Sequence, residues 1–336
     1  MKIHRAFTPV LPLLALSAAA VFAPPCQAAL INWTGGNGDW LTGSNWSGGA
    51  VPNIAGADDA TINPGTAASV TYAPGANWTV GAGRTVTVAG GSSLTQSGAA
   101  PSRVQGTMTL NGGTYARTDT TTGNPNNYLS ISATGAGATL NVLNGSSLNL
   151  GFSRLIIGGD GANALSNAVG VVNLVNSTIT TRELWFNDVT APATGGPTGI
   201  TSTLNISNSH IVTAGDVGIW FWRYETANNH DFTINFTGPA GSSIELGDQY
   251  KVGINRTGNG NNQSWQTAWD LGLLTYQGQG VNELGSAAFS TLFNVQTTAP
   301  APGSNFGRYI LTLSVPEPSA ALMGACGLLG FLRRRR

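Results

Sequence analysis

The stretch Leu140-Asn141-Val142 decides the fold, because the same apolar-polar-apolar triplet returns as Val172-Asn173-Leu174 and then, after an equal interval, as Leu204-Asn205-Ile206. Alternation with a period of two places the apolar residues of a strand on one face and the polar residue on the other. The triplets therefore predict short strands that turn their Leu, Val and Ile side chains inward and their Asn side chains outward.

The same triplet extends in both directions and defines a repeat region at residues 84–258. Further copies are Val86-Thr87-Val88, Met108-Thr109-Leu110 and Ile234-Asn235-Phe236. The centres of all six copies lie at positions 87, 109, 141, 173, 205 and 235, so the successive intervals are 22, 32, 32, 32 and 30. A repeat of this length is typical of a solenoid, in which every repeat adds one coil.

Other short β-prone segments follow the triplets and are separated by turns rich in Gly, Asn and Ser. Leu148-Asn149-Leu150 and Leu155-Ile156-Ile157 follow one triplet, and Ser243-Ile244-Glu245-Leu246 and Val252-Gly253-Ile254 follow another. We therefore predict an all-β fold, a right-handed parallel β-helix (β-solenoid) with two or three strands per coil. An antiparallel sandwich is the alternative, and the regular spacing without amphipathic helices favours the solenoid.

The N-terminal residues have the features of a secretory signal peptide. Lys2 and Arg5 precede an apolar stretch at residues 6–23, and small residues follow as far as Ala28. We expect a helical signal peptide over residues 1–28, cleavage after Ala28 and export of the rest of the chain.

Composition separates the body of the chain from an ordinary globular enzyme. Charged residues make up 9% of the sequence, whereas about 25% is typical, and 46 of the 336 residues are Gly. Cys26 lies in the signal peptide and Cys326 lies near the C-terminus, so we expect no disulfide or thiol chemistry in the body. Residues 29–314 carry nine basic and fourteen acidic side chains, a net charge of −5, which argues against nucleic acid as a partner.

The segments that flank the repeats differ from them in composition. Residues 29–83 open with Trp33, Trp40 and Trp46 among glycines, in a pattern W-x-G-G-x-G-x-W that resembles the start of autotransporter-like solenoid proteins. Because the first coil of a solenoid must be sealed, we expect these tryptophans to cover the open end; sugar stacking on them is the functional alternative. Residues 259–313 break the period and carry further aromatic residues, so we expect them to close the far end.

The C-terminal sequence combines Pro316, Glu317 and Pro318 with an apolar run at residues 320–332 and four basic residues. These basic residues are Arg333, Arg334, Arg335 and Arg336. The order resembles the PEP-CTERM sorting signal, which in that family is recognised by an exosortase that cleaves near the motif. The resemblance implies that residues 314–336 are a sorting signal, that an exosortase is a partner, and that the host is a Gram-negative bacterium that makes exopolysaccharide.

The apolar run of thirteen residues is short for a permanent membrane anchor. At about 1.5 Å per residue it spans about 20 Å as a helix, whereas a bilayer core usually needs roughly 20 residues. Basic residues that flank a membrane segment stay on the cytoplasmic side. We therefore expect a short transmembrane helix that holds the body outside the cytoplasm, transiently at the inner membrane, before it reaches the cell surface or the extracellular space.

Residues suited to catalysis are sparse in the body. Its histidines are His210 and His230, for which we expect structural roles, and no G-x-S-x-G elbow is present. Parallel β-helices often carry polysaccharide lyases and hydrolases, and glycoside hydrolysis needs two carboxylates at a defined separation. The candidate carboxylates are Glu183, Asp188, Asp216, Glu225 and Asp231.

One glycine-rich turn, Gly158-Gly159-Asp160-Gly161, is similar to a calcium-binding turn. Calcium-binding solenoids repeat such a motif many times, whereas this chain has a single copy, so an ordinary tight turn is favoured. We expect neither a metal nor a cofactor.

A second triplet recurs in the repeat region and has tryptophan at its centre. Leu184-Trp185-Phe186 returns as Ile219-Trp220-Phe221, and Trp222 and Tyr224 follow. If the flanking apolar residues face inward, these four aromatic side chains face outward, where an aromatic ladder can bind sugar rings. The alternative is that the loop at residues 188–199 folds over them.

Together these features predict an exported, non-catalytic surface or extracellular-matrix protein that is processed by an exosortase and is associated with exopolysaccharide or biofilm. A secreted polysaccharide-active lyase or hydrolase on the same fold is the alternative. A carboxylate pair in an open groove would favour the enzyme, whereas carboxylates scattered among loops would favour the structural role.

Overall fold

The computed structural model describes residues 28–73, 77–98, 100–118, 127–160, 165–188, 197–213, 218–221, 229–248, 251–254, 262–301 and 306–314. The predicted signal peptide, apart from Ala28, and the sorting signal from residue 315 onward lie outside these residues. So do two members of the predicted aromatic ladder, Trp222 and Tyr224, and two candidate carboxylates, Asp216 and Glu225.

The strands of the described residues form three long sheets that run along the molecule. The first sheet contains, in spatial order, β1 (Ala29–Asn32), β3 (Asp58–Ile62), β6 (Thr85–Ala89), β9 (Thr107–Asn111), β12 (Ala138–Leu143), β15 (Val169–Val175), β18 (Thr201–Ser207), β21 (Asp231–Phe236) and β24 (Leu274–Tyr276). The second contains β2 (Gly38–Asp39), β4 (Ser69–Tyr72), β7 (Ser93–Gln96), β10 (Thr114–Arg117), β13 (Ser147–Asn149), β16 (Thr178–Thr181), β19 (His210–Thr213), β22 (Ser243–Gly247), β26 (Arg308–Leu313) and β25 (Phe293–Thr298). The third contains β5 (Trp78–Val80), β8 (Ser102–Val104), β11 (Tyr128–Ile131), β14 (Arg154–Asp160), β17 (Glu183–Asp188), β20 (Ile219–Phe221) and β23 (Val252–Ile254).

Each coil passes through the three sheets in turn and then begins again one rung further along. Neighbouring strands within a sheet are therefore separated by two other strands in the sequence, and they pair in parallel except at the C-terminal end. This topology confirms the predicted all-β parallel solenoid and rules out the antiparallel sandwich. The stack includes β3, β4 and β5, so the segment at residues 29–83 contributes rungs as well as an end.

The triplets that identified the repeat lie in register in the first sheet. Asn141 is the partner of both Thr109 and Asn173, and Asn205 is the partner of both Asn173 and Asn235. The flanking apolar side chains point inward and are fully buried, as expected from the period-two pattern. The core of the solenoid is thus a set of aligned Leu, Val, Ile and Phe columns.

The turns between the first and second sheets repeat as closely as the strands. Asn144, Asn176 and Asn208 adopt left-handed backbone conformations, with φ of 58°, 49° and 45°, which Asn tolerates better than most residues. Buried serines follow, and the backbone N–H of Ser146 donates a 3.1 Å hydrogen bond to Oγ of Ser177 on the next coil. Side-chain hydroxyls therefore satisfy backbone groups at a corner that the sheets leave unpaired.

The N-terminal end of the stack is sealed by the three tryptophans of the opening module. Trp33, Trp40 and Trp46 are each 2% exposed, and the ring centroids of Trp40 and Trp46 lie 4.6 Å apart in an edge-to-face arrangement. The indole N–H of Trp46 donates a 2.7 Å hydrogen bond to the carbonyl of Trp40. Rings buried to this degree close the core and cannot stack on a sugar.

The C-terminal end is closed by short helices and by an antiparallel strand pair. Helices α1 (Trp265–Asp270), α2 (Val281–Leu284) and α3 (Phe289–Leu292) pack aromatic side chains over the last coil. Strand β26 pairs antiparallel with β22 and β25, so it covers an edge that would otherwise be free to pair with another chain. Among the described residues, no helix has the length and apolar character needed to cross a membrane.

Candidate functional site

Trp185 and Trp220 lie side by side on the outer face of the third sheet. They are register partners on β17 and β20, and their flanking residues, such as Leu184 and Phe186, are fully buried. The outward direction predicted from the triplets therefore holds for both tryptophans, which are half-buried. Their ring centroids lie 5.8 Å apart with an interplanar angle of 37°.

The two indoles form one continuous stack with neighbours on both sides. The Arg154 guanidinium, from the preceding coil, lies 4.6 Å from the centroid of Trp185, and the indole N–H of Trp185 donates to Oε2 of Glu183. On the other side, Trp220 covers the backbone of Gly253, where a Cβ atom would come within 2.2 Å of the ring. Arg154 therefore packs against Trp185 on one side of the pair, and the backbone of Gly253 lies under Trp220 on the other.

Arg154 also gathers two of the candidate carboxylates. Its Nε lies 3.2 Å from Oε2 of Glu183, and its Nη1 lies 3.5 Å from Oδ2 of Asp188. A second cation, Arg182, lies 3.2 Å from Glu183. The sequence placed Glu183 and Asp188 among possible catalytic residues, and the fold brings them to one guanidinium, where their charges are balanced.

The pKa of Asp188, a member of this group, is raised. Burial raises the pKa of Asp188 above its ordinary value of 3.8, the Arg154 guanidinium opposes the rise, and the neighbouring Glu183 and Asp160 carboxylates add to it. A raised pKa beside a second carboxylate is a feature that glycosidases exploit in a general acid. Asp188 therefore keeps its proton to a higher pH than an exposed aspartate does.

The other candidates lie apart from this cluster. Asp231 is exposed at the start of β21, in the first sheet. His210 begins β19 and contacts Oγ of Ser243 at 2.9 Å, whereas Nδ1 of His230 accepts a hydrogen bond from the backbone N–H of Ile200. Within the described residues, no group of three or more His, Cys, Asp and Glu side chains could hold a metal ion.

The glycine-rich turn proves to be the end of strand β14. Gly158 has a φ of +99° and lies against Ser202, where a Cβ atom would come within 2.3 Å of the hydroxyl oxygen. The Asp160 carboxylate that follows is 3% exposed and binds Nε of Arg103 at 2.7 Å. Arg103 therefore balances the charge of this carboxylate.

A cavity of about 130 Å³ opens beside this ion pair, on the outer side of the third sheet. Sequence reasoning missed this cavity, because Arg103 and Asp160 are 57 positions apart. They lie in the third sheet, and the triplets of the first sheet do not show which residues of the third sheet meet. The only signal in the sequence was the break in alternation at Leu155-Ile156-Ile157-Gly158-Gly159-Asp160, which marks an irregular strand.

Sequence reasoning also missed the ladder of amides on the first sheet. Nδ2 of Asn173 donates to Oδ1 of Asn141 at 2.9 Å, and the same bond recurs from Asn205 to Asn173 at 2.9 Å and from Asn235 to Asn205 at 3.1 Å. Asn at the centre of successive triplets was the available signal.

No protein family, curated protein or solved structure matches this chain in the comparisons with known proteins.

Proposed function

We propose that this chain is an exported, non-catalytic surface or extracellular-matrix protein that associates with exopolysaccharide and is processed at its C-terminal PEP-CTERM-like sequence by an exosortase. The signal-peptide features at residues 1–28 and the motif at residues 316–318 support export and processing. The apolar run at residues 320–332 and the arginines after it support a transient stay at the inner membrane.

The observation that carries the association with polysaccharide is the chemistry of the first sheet's outer face. Two columns of side chains follow the stack there, each with one residue per coil, and none of them is charged. They are Thr85, Thr107, Thr139, Val171, Thr203 and Thr233 in one column, and Thr87, Thr109, Asn141, Asn173, Asn205 and Asn235 in the other.

Such a face offers many weak hydrogen-bonding groups at a regular spacing. Strands in a sheet are about 4.8 Å apart, so a neutral polymer that runs along the stack meets hydroxyl or amide groups at nearly every rung. Each contact is weak, but simultaneous contacts add through effective concentration. Asp59 and Asp231 lie on the same face, but the twelve residues of these two columns carry no charge, and a repetitive surface of this kind is suited to retention in a matrix.

The carboxylates on the third sheet favour a second candidate, a polysaccharide-active enzyme. Asp188 has a raised pKa and shares Arg154 with Glu183, as described above. Against this, arginines bind both carboxylates, which leaves them poorly placed to donate or accept a proton at a glycosidic bond. Release of reducing ends from host exopolysaccharide by the purified protein, and its loss in Asp188→Asn, would establish the enzyme instead.

Fractionation of the native host tests the primary proposal. Intact-mass measurement of the protein in each fraction reports its location and both of its ends in one experiment. We expect the exported form to lack residues 1–28 and the arginine cluster, and to co-purify with exopolysaccharide. Protein that stays in the cytoplasm with both ends intact would refute the proposal.

A further inference from the structure

The cavity beside the Arg103–Asp160 ion pair lies on the outer face of the third sheet, across the early coils. Ser130 and Asp160 form its base and are 1% and 3% exposed. Arg103 and Gln105 line it at and just after β8, and Ser132 lines it just after the neighbouring strand β11. Polar groups from three different coils thus converge on one small space.

Hydrogen bonds fix the base of the cavity. Oδ2 of Asp160 accepts from Nε of Arg103 at 2.7 Å and from the hydroxyl of Ser130 at 3.0 Å. Nη2 of Arg103 donates to the phenolic oxygen of Tyr128 at 2.7 Å. The ring of Tyr128 lies 5.6 Å from the guanidinium carbon, so the position of Arg103 is determined on two sides.

The charge of the cavity is balanced. Burial lowers the pKa of Arg103, but the charge of Asp160 and its hydrogen bond to Arg103 raise that pKa by more than burial lowers it. The net shift is upward, so the guanidinium stays charged. Asp160 supplies the opposite charge at 2.7 Å. An anion would compete with Asp160 and a cation with Arg103, and breaking a buried pair is costly. The site is therefore suited to a neutral ligand.

Hydrogen-bonding capacity remains on the Arg103–Asp160 pair and on two residues beside it. Among the described residues, the two bonds that Asp160 accepts end on Oδ2, and the bonds that Arg103 donates leave from Nε and Nη2. Oδ1 of Asp160 can accept from a ligand, Nη1 of Arg103 can donate, and the Gln105 amide and Ser132 hydroxyl can do both. Alternating donors and acceptors of this kind match the hydroxyl groups of a sugar.

The rim of the cavity adds apolar contacts. Ala82, Ala133 and Leu165 line it, and the side chain of Leu165 is 54% exposed. Pyranose rings have C–H faces that bury favourably against such side chains. The volume of about 130 Å³ is well below the roughly 300 Å³ at which clefts for drug-sized ligands begin, so the space suits one ring and not an oligosaccharide.

We infer that this cavity binds a single neutral pyranose residue, with Asp160, Arg103, Gln105 and Ser132 as its hydrogen-bonding partners. The inference rests on the proposed association with exopolysaccharide, and it names the class of sugar and the place of recognition. One pyranose unit of the polymer would insert here, separately from the contacts along the outer face of the first sheet.

Titration of the purified full chain with single sugars tests the inference. The probes are glucose, galactose, mannose and N-acetylglucosamine, with galacturonate and glucosamine as charged analogues, and binding is observed by saturation-transfer NMR. We expect millimolar affinity for at least one neutral sugar. Charged analogues should bind at least tenfold more weakly.

Two variants locate the site. Ser132→Phe fills the cavity and Gln105→Ala removes its amide, so each should weaken binding by tenfold or more while the melting temperature stays close to that of wild type. Ser147→Phe is the matched control, because it makes the same Ser-to-Phe change at a half-buried position on the outer face of the second sheet. This variant should bind like wild type.

The outcomes separate this inference from the proposed function. Absence of neutral-sugar binding, a preference for galacturonate, or binding that survives Ser132→Phe each overturns the cavity site. If the protein is still retained on exopolysaccharide in that case, the proposed function stands without the cavity. If the cavity binds a neutral sugar but the protein stays in the cytoplasm, the proposed function fails and the cavity site stands.

Discussion

Nδ2 of Asn173 donates a hydrogen bond to Oδ1 of Asn141 across 2.9 Å, although the two residues are 32 positions apart in the sequence. This separation equals one repeat, so the bond joins equivalent side chains on successive coils. Asn173 also accepts from Asn205 on the other side, at 2.9 Å. Each amide in the middle of the ladder thus donates in one direction and accepts in the other, and the coils are held in register by side chains as well as by backbone.

The first prediction concerns Asn173, because it lies in the middle of the amide ladder. Asn173→Ala removes two side-chain hydrogen bonds, each contributing about 0.5–1.5 kcal/mol, so the free energy of unfolding should fall by about 1–3 kcal/mol. Urea denaturation measures the change. Thr203→Val, on the same face but outside the ladder, should stay within about 0.5 kcal/mol of wild type; an equal loss in both variants would contradict a special role for the ladder.

The second prediction concerns Gly253, over which the Trp220 ring lies. Gly253→Ala places a methyl group 2.2 Å from Cε3 of Trp220, and overpacking of this kind typically costs about 1–3 kcal/mol. Gly36→Ala is the control, because a Cβ atom at Gly36 meets nothing within 4 Å. Denaturation of both variants should show a loss only for Gly253→Ala.

A double-mutant cycle tests the cause of that loss. In a Trp220→Ala background the ring that the methyl group strikes is absent, so Gly253→Ala should then cost little. A cost that is unchanged in this background would show that the backbone of Gly253, and not its contact with Trp220, requires glycine.

Much of the fold could be predicted from the sequence because the repeat obeys simple rules. Period-two alternation at Leu140-Asn141-Val142 determines which side chains face inward, and the constant interval between triplets determines which residue lies beside Asn141 on the next coil. The outward direction of Trp185 follows from the same rule. These features depend only on local geometry repeated at a fixed interval.

The third-sheet site could not be predicted in the same way. Arg103 belongs to one coil and Asp160 to another, 57 positions later, and no repeat interval connects them. The irregular end of β14, with a bulge between Ile157 and Asp160, brings that carboxylate to the outer face. Likewise, the position of Arg154 against Trp185 depends on side-chain packing, which the pattern of apolar residues does not specify.

The third prediction concerns the pH dependence that Asp188 confers. Its folded-state pKa is raised above 3.8, mainly by burial, so the folded state binds the proton more tightly than the unfolded state. The contribution of Asp188 to stability is therefore greatest at low pH and is lost as pH rises from about 4 through the folded pKa. Asp188→Asn should remove this dependence of stability on pH and leave Arg154 paired with Glu183.

Thermal unfolding of wild type and Asp188→Asn over a series of pH values measures the effect. The difference in stability should shift in favour of the Asn variant as pH rises through this window. Asp231→Asn is the control, since Asp231 is exposed at the start of β21. Parallel pH profiles for wild type and Asp188→Asn would contradict the prediction.

The fourth prediction separates two roles of the tryptophan stack. If the outward edges of Trp185 and Trp220 contact polysaccharide, replacing both by Ala should weaken retention on a column of host exopolysaccharide several-fold. Because Trp185 also packs against Arg154, some loss of thermal stability is expected as well. Leu41→Ala, which removes a 48% exposed apolar side chain on an early coil, should change neither property. Loss of stability with unchanged retention would assign the stack to packing alone.

The fifth prediction concerns the junction before the apolar run at residues 320–332. Pro316 and Pro318 have no backbone N–H to donate, and each disfavours helix in the residue before it. An extended, accessible segment at the membrane edge is what a protease requires. Replacing Pro316, Glu317 and Pro318 by Ala should therefore leave unprocessed precursor in the inner-membrane fraction of the host.

The arginines at residues 333–336 should act separately from this motif. In the proposed anchor their positive charge would keep the end of the apolar run on the cytoplasmic side, and a run this short would have little other hold on the bilayer. Their removal should reduce the membrane-bound precursor seen in pulse-chase fractionation, whereas Pro300→Ala, outside the motif, should leave processing unchanged. Mature protein outside the cell that still ends at Arg336 would exclude cleavage at this signal, because the proposed order of events requires the arginines to stay behind.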